Sequence, residues 1–170
     1  MRISVHTLIL ASIFAFATFA PTVAQQLPGS DVPCNMTHPN RIAPGETERD
    51  DSTHGNAFVA VHGLWPDGVI FKPGGPGFLT PDGALGMKFP WSKVAGKLVV
   101  TGRRLDGDAA PLRFCTHVNL GPGGQSSYVI FSTPGCWEVT AKLAERDDSK
   151  LTFVTNVVKI GDGPVRLRQP

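Results

Sequence analysis

The chain has 170 residues, with 16 Lys and Arg against 14 Asp and Glu, and it is rich in Gly (19) and Pro (15) with three Cys. Setting aside a leading segment of 24 residues leaves 146, enough for one domain with its own core and no need of a metal or a dense disulfide framework to fold. Without Arg2 the basic and acidic counts differ by one, which argues against a general nucleic-acid grip or a polybasic membrane patch.

Residues 1–24 read as a signal peptide. Arg2 supplies a positive start, residues 8–20 are almost unbroken in apolar character, and Thr22-Val23-Ala24 forms a small-residue cleavage site before Gln25. The apolar run is shorter than the about 20 residues a spanning helix needs, so no membrane span is expected. Cys34 follows Asp31-Val32-Pro33 rather than the small-residue run of a lipoprotein box, which leaves a secreted or periplasmic product. Asn35-Met36-Thr37 is a glycosylation sequon, with meaning only in a eukaryotic secretory pathway.

Residues 25–56 form a polar leader, expected to be extended. Eight β-rich runs follow between turn residues, at 57–62, 69–72, 85–89, 97–103, 112–119, 127–133, 136–144 and 151–160. The separators include Pro66-Asp67-Gly68, Pro81-Asp82-Gly83, Asp106-Gly107-Asp108 and Pro134-Gly135. Residues 57–62 and 69–72 are expected to pair as a hairpin across Pro66-Asp67-Gly68, with Trp65 packed at its end. Only residues 92–95 suggest a helical turn. Alternation in the run from Cys136 places Trp137, Val139, Ala141 and Leu143 on a buried face, and Cys136, Glu138, Thr140 and Lys142 on the other. The next run turns Leu151, Phe153 and Val157 inward but also carries Val154, Val158 and Ile160. Either both its faces are buried, or a bulge near Thr155-Asn156 switches its facing.

Phe131, then Thr133-Pro134-Gly135-Cys136-Trp137-Glu138-Val139-Thr140-Ala141, a charged turn and Leu151-Thr152-Phe153-Val154 resemble the final hairpin of immunoglobulin-like domains in secreted bacterial proteins. The tract from Gly63-Leu64-Trp65-Pro66-Asp67-Gly68 through Leu85-Gly86-Met87-Lys88-Phe89 is similar to that of uncharacterised exported bacterial proteins. These likenesses imply a fold and no chemistry: an all-β chain whose residues 97–161 form an immunoglobulin-like antiparallel β-sandwich, with a Gly/Pro-rich β-hairpin extension at 57–96 continuous with it or packed on it, and a tail at 162–170.

Val61-His62-Gly63-Leu64-Trp65-Pro66-Asp67 resembles the first active-site motif of the T-two acid ribonucleases. That resemblance implies RNA cleavage with His62 in acid/base catalysis. The chemistry requires a second histidine, an acidic residue and a lysine at the same phosphate. The second motif of that family is missing, and His54-Gly55 lies upstream without the lysine, tryptophan or cysteine of that motif. No catalytic residue is therefore assigned.

His38, His54, His62 and His117, with Cys34 and Cys115, show no tight ligand spacing, so neither a metal nor another cofactor is expected. Gly74, Gly75 and Gly77 do not join a strand to a helix, Ser126 and Ser127 lack a nucleophile elbow, and the arginines at 103–104 and 166–168 read as solvated ends. Three cysteines in an oxidising compartment leave one over. Cys136, on the polar face at its strand's mouth, is expected to tie down Cys34 in the leader and leave Cys115 free; Cys115 with Cys136 is the rival pairing. The function expected is a non-catalytic module for binding, adhesion or structure, with a protein or carbohydrate ligand at its loops and no nucleic-acid partner.

Overall fold

The computed structural model describes residues 33–46, 50–65, 68–71, 77–119 and 123–159. The expected signal peptide (1–24) and tail (162–170) lie outside them. The described residues form ten strands and no helix: β1 (His54–Gly55), β2 (Val59–Val61), β3 (Val69–Phe71), β4 (Phe78–Leu79), β5 (Leu85–Lys93), β6 (Leu98–Arg104), β7 (Arg113–Asn119), β8 (Gln125–Phe131), β9 (Gly135–Leu143) and β10 (Arg146–Lys159). They make the expected two-sheet sandwich. One sheet runs β1-β2-β5-β8-β7 with β4 also on β5, and the other runs β3-β10-β9-β6. All pairs are antiparallel except β3 with β10.

β5 is the spine of the first sheet. Leu85 to Trp91 pair with β8 on one flank, while the other flank takes β2 at Trp91–Lys93 and β4 at Leu85–Gly86. The region 57–96 is thus continuous with the sandwich. The shared flank also overturns the helical turn expected at 92–95: Ser92 and Lys93 stay extended because Ala60 and Val59 stand opposite them. At the other end Phe78 lies directly across from Gly86, and its ring fills the space where a side chain would be, 2.3 Å from an ideal Cβ. An aromatic ring laid over a cross-strand glycine restores the packing that glycine lacks.

The hairpin expected across Pro66-Asp67-Gly68 is not made. β2 pairs with β1 and β5, whereas β3 joins the opposite sheet beside β10, so the segment from His62 to Gly68 crosses between sheets. Two residues enforce the crossing. Leu64 is buried in the core, and Gly68 (φ 83°) passes so near the strand β10 that a Cβ would lie 2.2 Å from the Asn156 carbonyl oxygen. Trp65, expected to pack, is instead exposed.

Strand β9 alternates from Trp137 on, with Trp137, Val139, Ala141 and Leu143 buried; Cys136, expected on the polar face, is buried as well, where it is bonded to Cys34 of the leader. β10 corrects both options open in the sequence. Ser149, Leu151, Phe153, Thr155 and Val157 are buried in strict alternation, with no switch at Thr155-Asn156; the register shift lies between Arg146 and Leu151. Rings bridge the two sheets: Trp91 meets Phe153 at 6.4 Å between centroids, and Phe131 meets Trp137 at 5.5 Å, edge to face.

The leader lies along the sandwich. Cys34 is bonded to Cys136, and Cys115 is a free, exposed thiol. The Thr37 amide donates to the Val154 carbonyl, whose own amide donates to Thr37 Oγ1. Asn40 presents its side-chain amide to both backbone groups of Gly55 (2.8 and 3.0 Å), doing for β1 what another strand would do. No helix among the described residues is long and apolar enough to cross a membrane.

Candidate functional site

A polar cluster surrounds His62, the residue that carries the catalytic motif legible in the sequence. His62 follows β2, and its backbone N–H donates to the Pro90 carbonyl at 3.0 Å, so it continues alongside β5. Side chains alternate along β5: Leu85, Phe89, Trp91 and Lys93 point to the core, and Ser92 points out. The imidazole lies over that outward serine, with Nε2 2.7 Å from Ser92 Oγ. Its other nitrogen, Nδ1, lies 3.0 Å from Thr53 Oγ1 at the start of β1.

Both hydroxyls lead to a carboxylate of the leader. Ser92 Oγ donates to Glu46 Oε1, which itself stands 3.7 Å from His62 Nε2. Thr53 Oγ1 donates to Asp50 Oδ1 at 2.9 Å. The same oxygen of Asp50 accepts from the amide and the hydroxyl of Ser52, at 2.9 and 2.7 Å. The Ser52 hydroxyl, joined by that of Thr53, holds the Asp50 carboxyl below the ordinary aspartate range; the charge of His62 adds to this, and burial opposes it. Ser52 also fixes the crossing segment: its Oγ accepts from the Gly63 amide and its carbonyl from the Leu64 amide, each at 3.0 Å.

This arrangement fastens chain segments together. Ser92 and Thr53 are buried, and each carboxylate takes the single proton of its hydroxyl. A nucleophilic serine would have to give that proton to the histidine; Ser92 Oγ lies between Glu46 Oε1 and His62 Nε2 and contacts both. Ribonuclease chemistry would need a second histidine and a lysine at the ring; among the described residues, the side-chain contacts at His62 come from Thr53, Ser92 and Glu46.

The other sequence candidates are scattered. His38 is exposed and His54 half-buried. Burial holds His54 below the ordinary histidine range, opposed by a hydrogen bond to the backbone of His38. The His117 side chain and Gly74 and Gly75 lie outside what is described. Among the described residues no three of His, Cys, Asp and Glu gather to hold a metal ion.

A different polar group braces the mouth of β9. Arg104 Nε donates to Asp106 Oδ1 at 2.6 Å, and the pair occupies the space beside Gly135 (φ 136°), where a Cβ would lie 2.5 Å from Nε. The Arg104 hydrogen bond is the main cause holding the Asp106 carboxyl below its ordinary range. The two exposed large hydrophobics among the described residues are Trp65 (57% exposed) and Ile42 (43%).

Glu46, Asp50, Thr53 and Ser92 were not singled out by the sequence. Asp50-Asp51-Ser52-Thr53 does carry a signal, since an aspartate two and three residues before a serine and a threonine is set to fold back onto them. Ser92 carries none, because its facing follows from the β2–β5 register. Comparison with protein-family models finds no match to this chain, and comparison with curated proteins finds none either.

Proposed function

We propose that the chain is an exported, non-catalytic β-sandwich module, related in kind to immunoglobulin-like domains, that works by binding, adhesion or structure outside the cytoplasm. The observation that carries this reading is at His62. The residue with a catalytic look has both ring nitrogens engaged by hydroxyls that hold the leader on the first sheet. The Cys34–Cys136 bond accords with an oxidising compartment. Trp65, exposed on the segment that crosses between sheets, suits contact with a protein or carbohydrate ligand through a loop.

The test is incubation of the purified protein with RNA at mildly acidic pH. The RNA should remain intact. Cleavage that disappears in a folded His62→Ala variant would reinstate the ribonuclease reading and end this one.

A further inference from the structure

Four contacts run in line from one carboxylate of the leader to the other: Glu46 to Ser92, Ser92 to His62 Nε2, His62 Nδ1 to Thr53, and Thr53 to Asp50. Each is a hydrogen bond only if it holds a proton. Ser92 and Thr53 bring one each and a neutral imidazole brings one, so three protons serve four contacts. With both carboxylates ionised, one contact would set lone pair against lone pair. A fourth proton removes the conflict: each hydroxyl donates to its carboxylate and the ring donates from both nitrogens. Moving that proton to Glu46 merely reverses two of the bonds, so the count belongs to the chain of groups and not to one residue.

We propose that the folded protein binds one proton in this five-residue chain beyond those its separated groups hold at neutral pH, and that this proton fastens the leader to the first sheet. Among the described residues, the charged groups facing the ring are the carboxylates of Glu46 and Asp50, both on the leader. β5 presents Ser92 and the Pro90 carbonyl, with Lys88 four residues along its outer face; Lys93 turns to the core and donates to the Gly96 carbonyl. On β1 and the residue before it stand His54 and Thr53. The fastening is then strongest in mildly acidic surroundings, and one of its four links fails as pH rises.

The sign follows from linkage. A folded state that binds more protons than the unfolded state loses stability as pH rises. His54 acts the opposite way, because its burial favours the neutral ring, so the effect must be read as a difference between proteins. Thr53→Val is the informative variant. It keeps the shape of the side chain and leaves two links, His62 to Ser92 and Ser92 to Glu46, with a proton for each. Urea unfolding of the wild type and Thr53→Val is compared at about pH 5.5 and about pH 8, a window chosen to span histidine titration. The wild-type unfolding constant should rise with pH by about tenfold more than that of the variant. Equal pH dependence of the two proteins overturns the proposal. Should Thr53→Val not fold, two-bond proton–nitrogen spectra of His62 and carboxyl-carbon shifts of Glu46 in the wild type at about pH 7 decide: both ring nitrogens protonated with slowly exchanging protons, or a bare Nε2 beside a protonated Glu46 carboxyl, supports it, and one bare ring nitrogen beside an ionised Glu46 overturns it.

Discussion

Removing the Cys34–Cys136 bond, by reduction or by replacing both cysteines with alanine, should lower unfolding stability by about 4.7 kcal/mol in the chain-entropy estimate for a loop near 100 residues, or somewhat less as measured values run. The bond spans a sequence separation of 102, so its loss frees most of the unfolded chain. The folded state should change little. The leader keeps its backbone pairing with Val154, the Asn40 clamp on Gly55 and the cluster at His62. Urea melts with and without reductant measure the effect. A loss under about 1 kcal/mol would mean that the bond does not restrain the unfolded chain in the way a long loop requires.

Trp137→Ala should cost about 3–5 kcal/mol, the usual range for emptying a large aromatic site in a core. Trp137 is fully buried near the start of β9, with Arg104 of β6 on one side and Thr155 of β10 on the other. Its ring meets Phe131 of the opposite sheet, and its indole N–H donates to the Thr133 carbonyl at 3.0 Å. Alanine removes the contact between sheets and the hydrogen bond together. Trp137→Phe removes mainly the hydrogen bond and should cost nearer about 1–2 kcal/mol. Denaturant midpoints of the two variants separate these parts; near-equal losses would place the energy of the site in the hydrogen bond and not in packing.

Trp137 also marks how far the sequence can be read. Period-two alternation in β9, turn residues between strands and the odd cysteine are local signals, and they lead to the all-β sandwich. Pairing is different, because it depends on partners far along the chain. Gly68 reads as a hairpin residue, yet it serves to let the crossing segment pass against the Asn156 carbonyl on a strand some ninety positions later. Ser92 to Ala95 has the composition of a turn, but β2 stands ready to pair with its first two residues and keeps them extended. The site is legible in the same measure. His62 stands out because its neighbours resemble a catalytic motif, and the Asp50 to Thr53 turn is written locally. That Ser92 and Glu46 complete the cluster depends on the β2–β5 register and on the path of the leader.

The leader belongs to the fold, and the His62 cluster fastens it to the first sheet. Amide hydrogen exchange on the native, oxidised protein tests this most directly. The amides of Thr37, Arg41, Thr53 and Gly55 each donate to an acceptor in the structure. They should exchange far more slowly than in an unstructured peptide, and those of Arg41 and Thr53 should quicken in His62→Ala while β9 and β10 stay protected. Exchange of these leader amides at the peptide rate in the wild type, with β9 and β10 still protected, would contradict it.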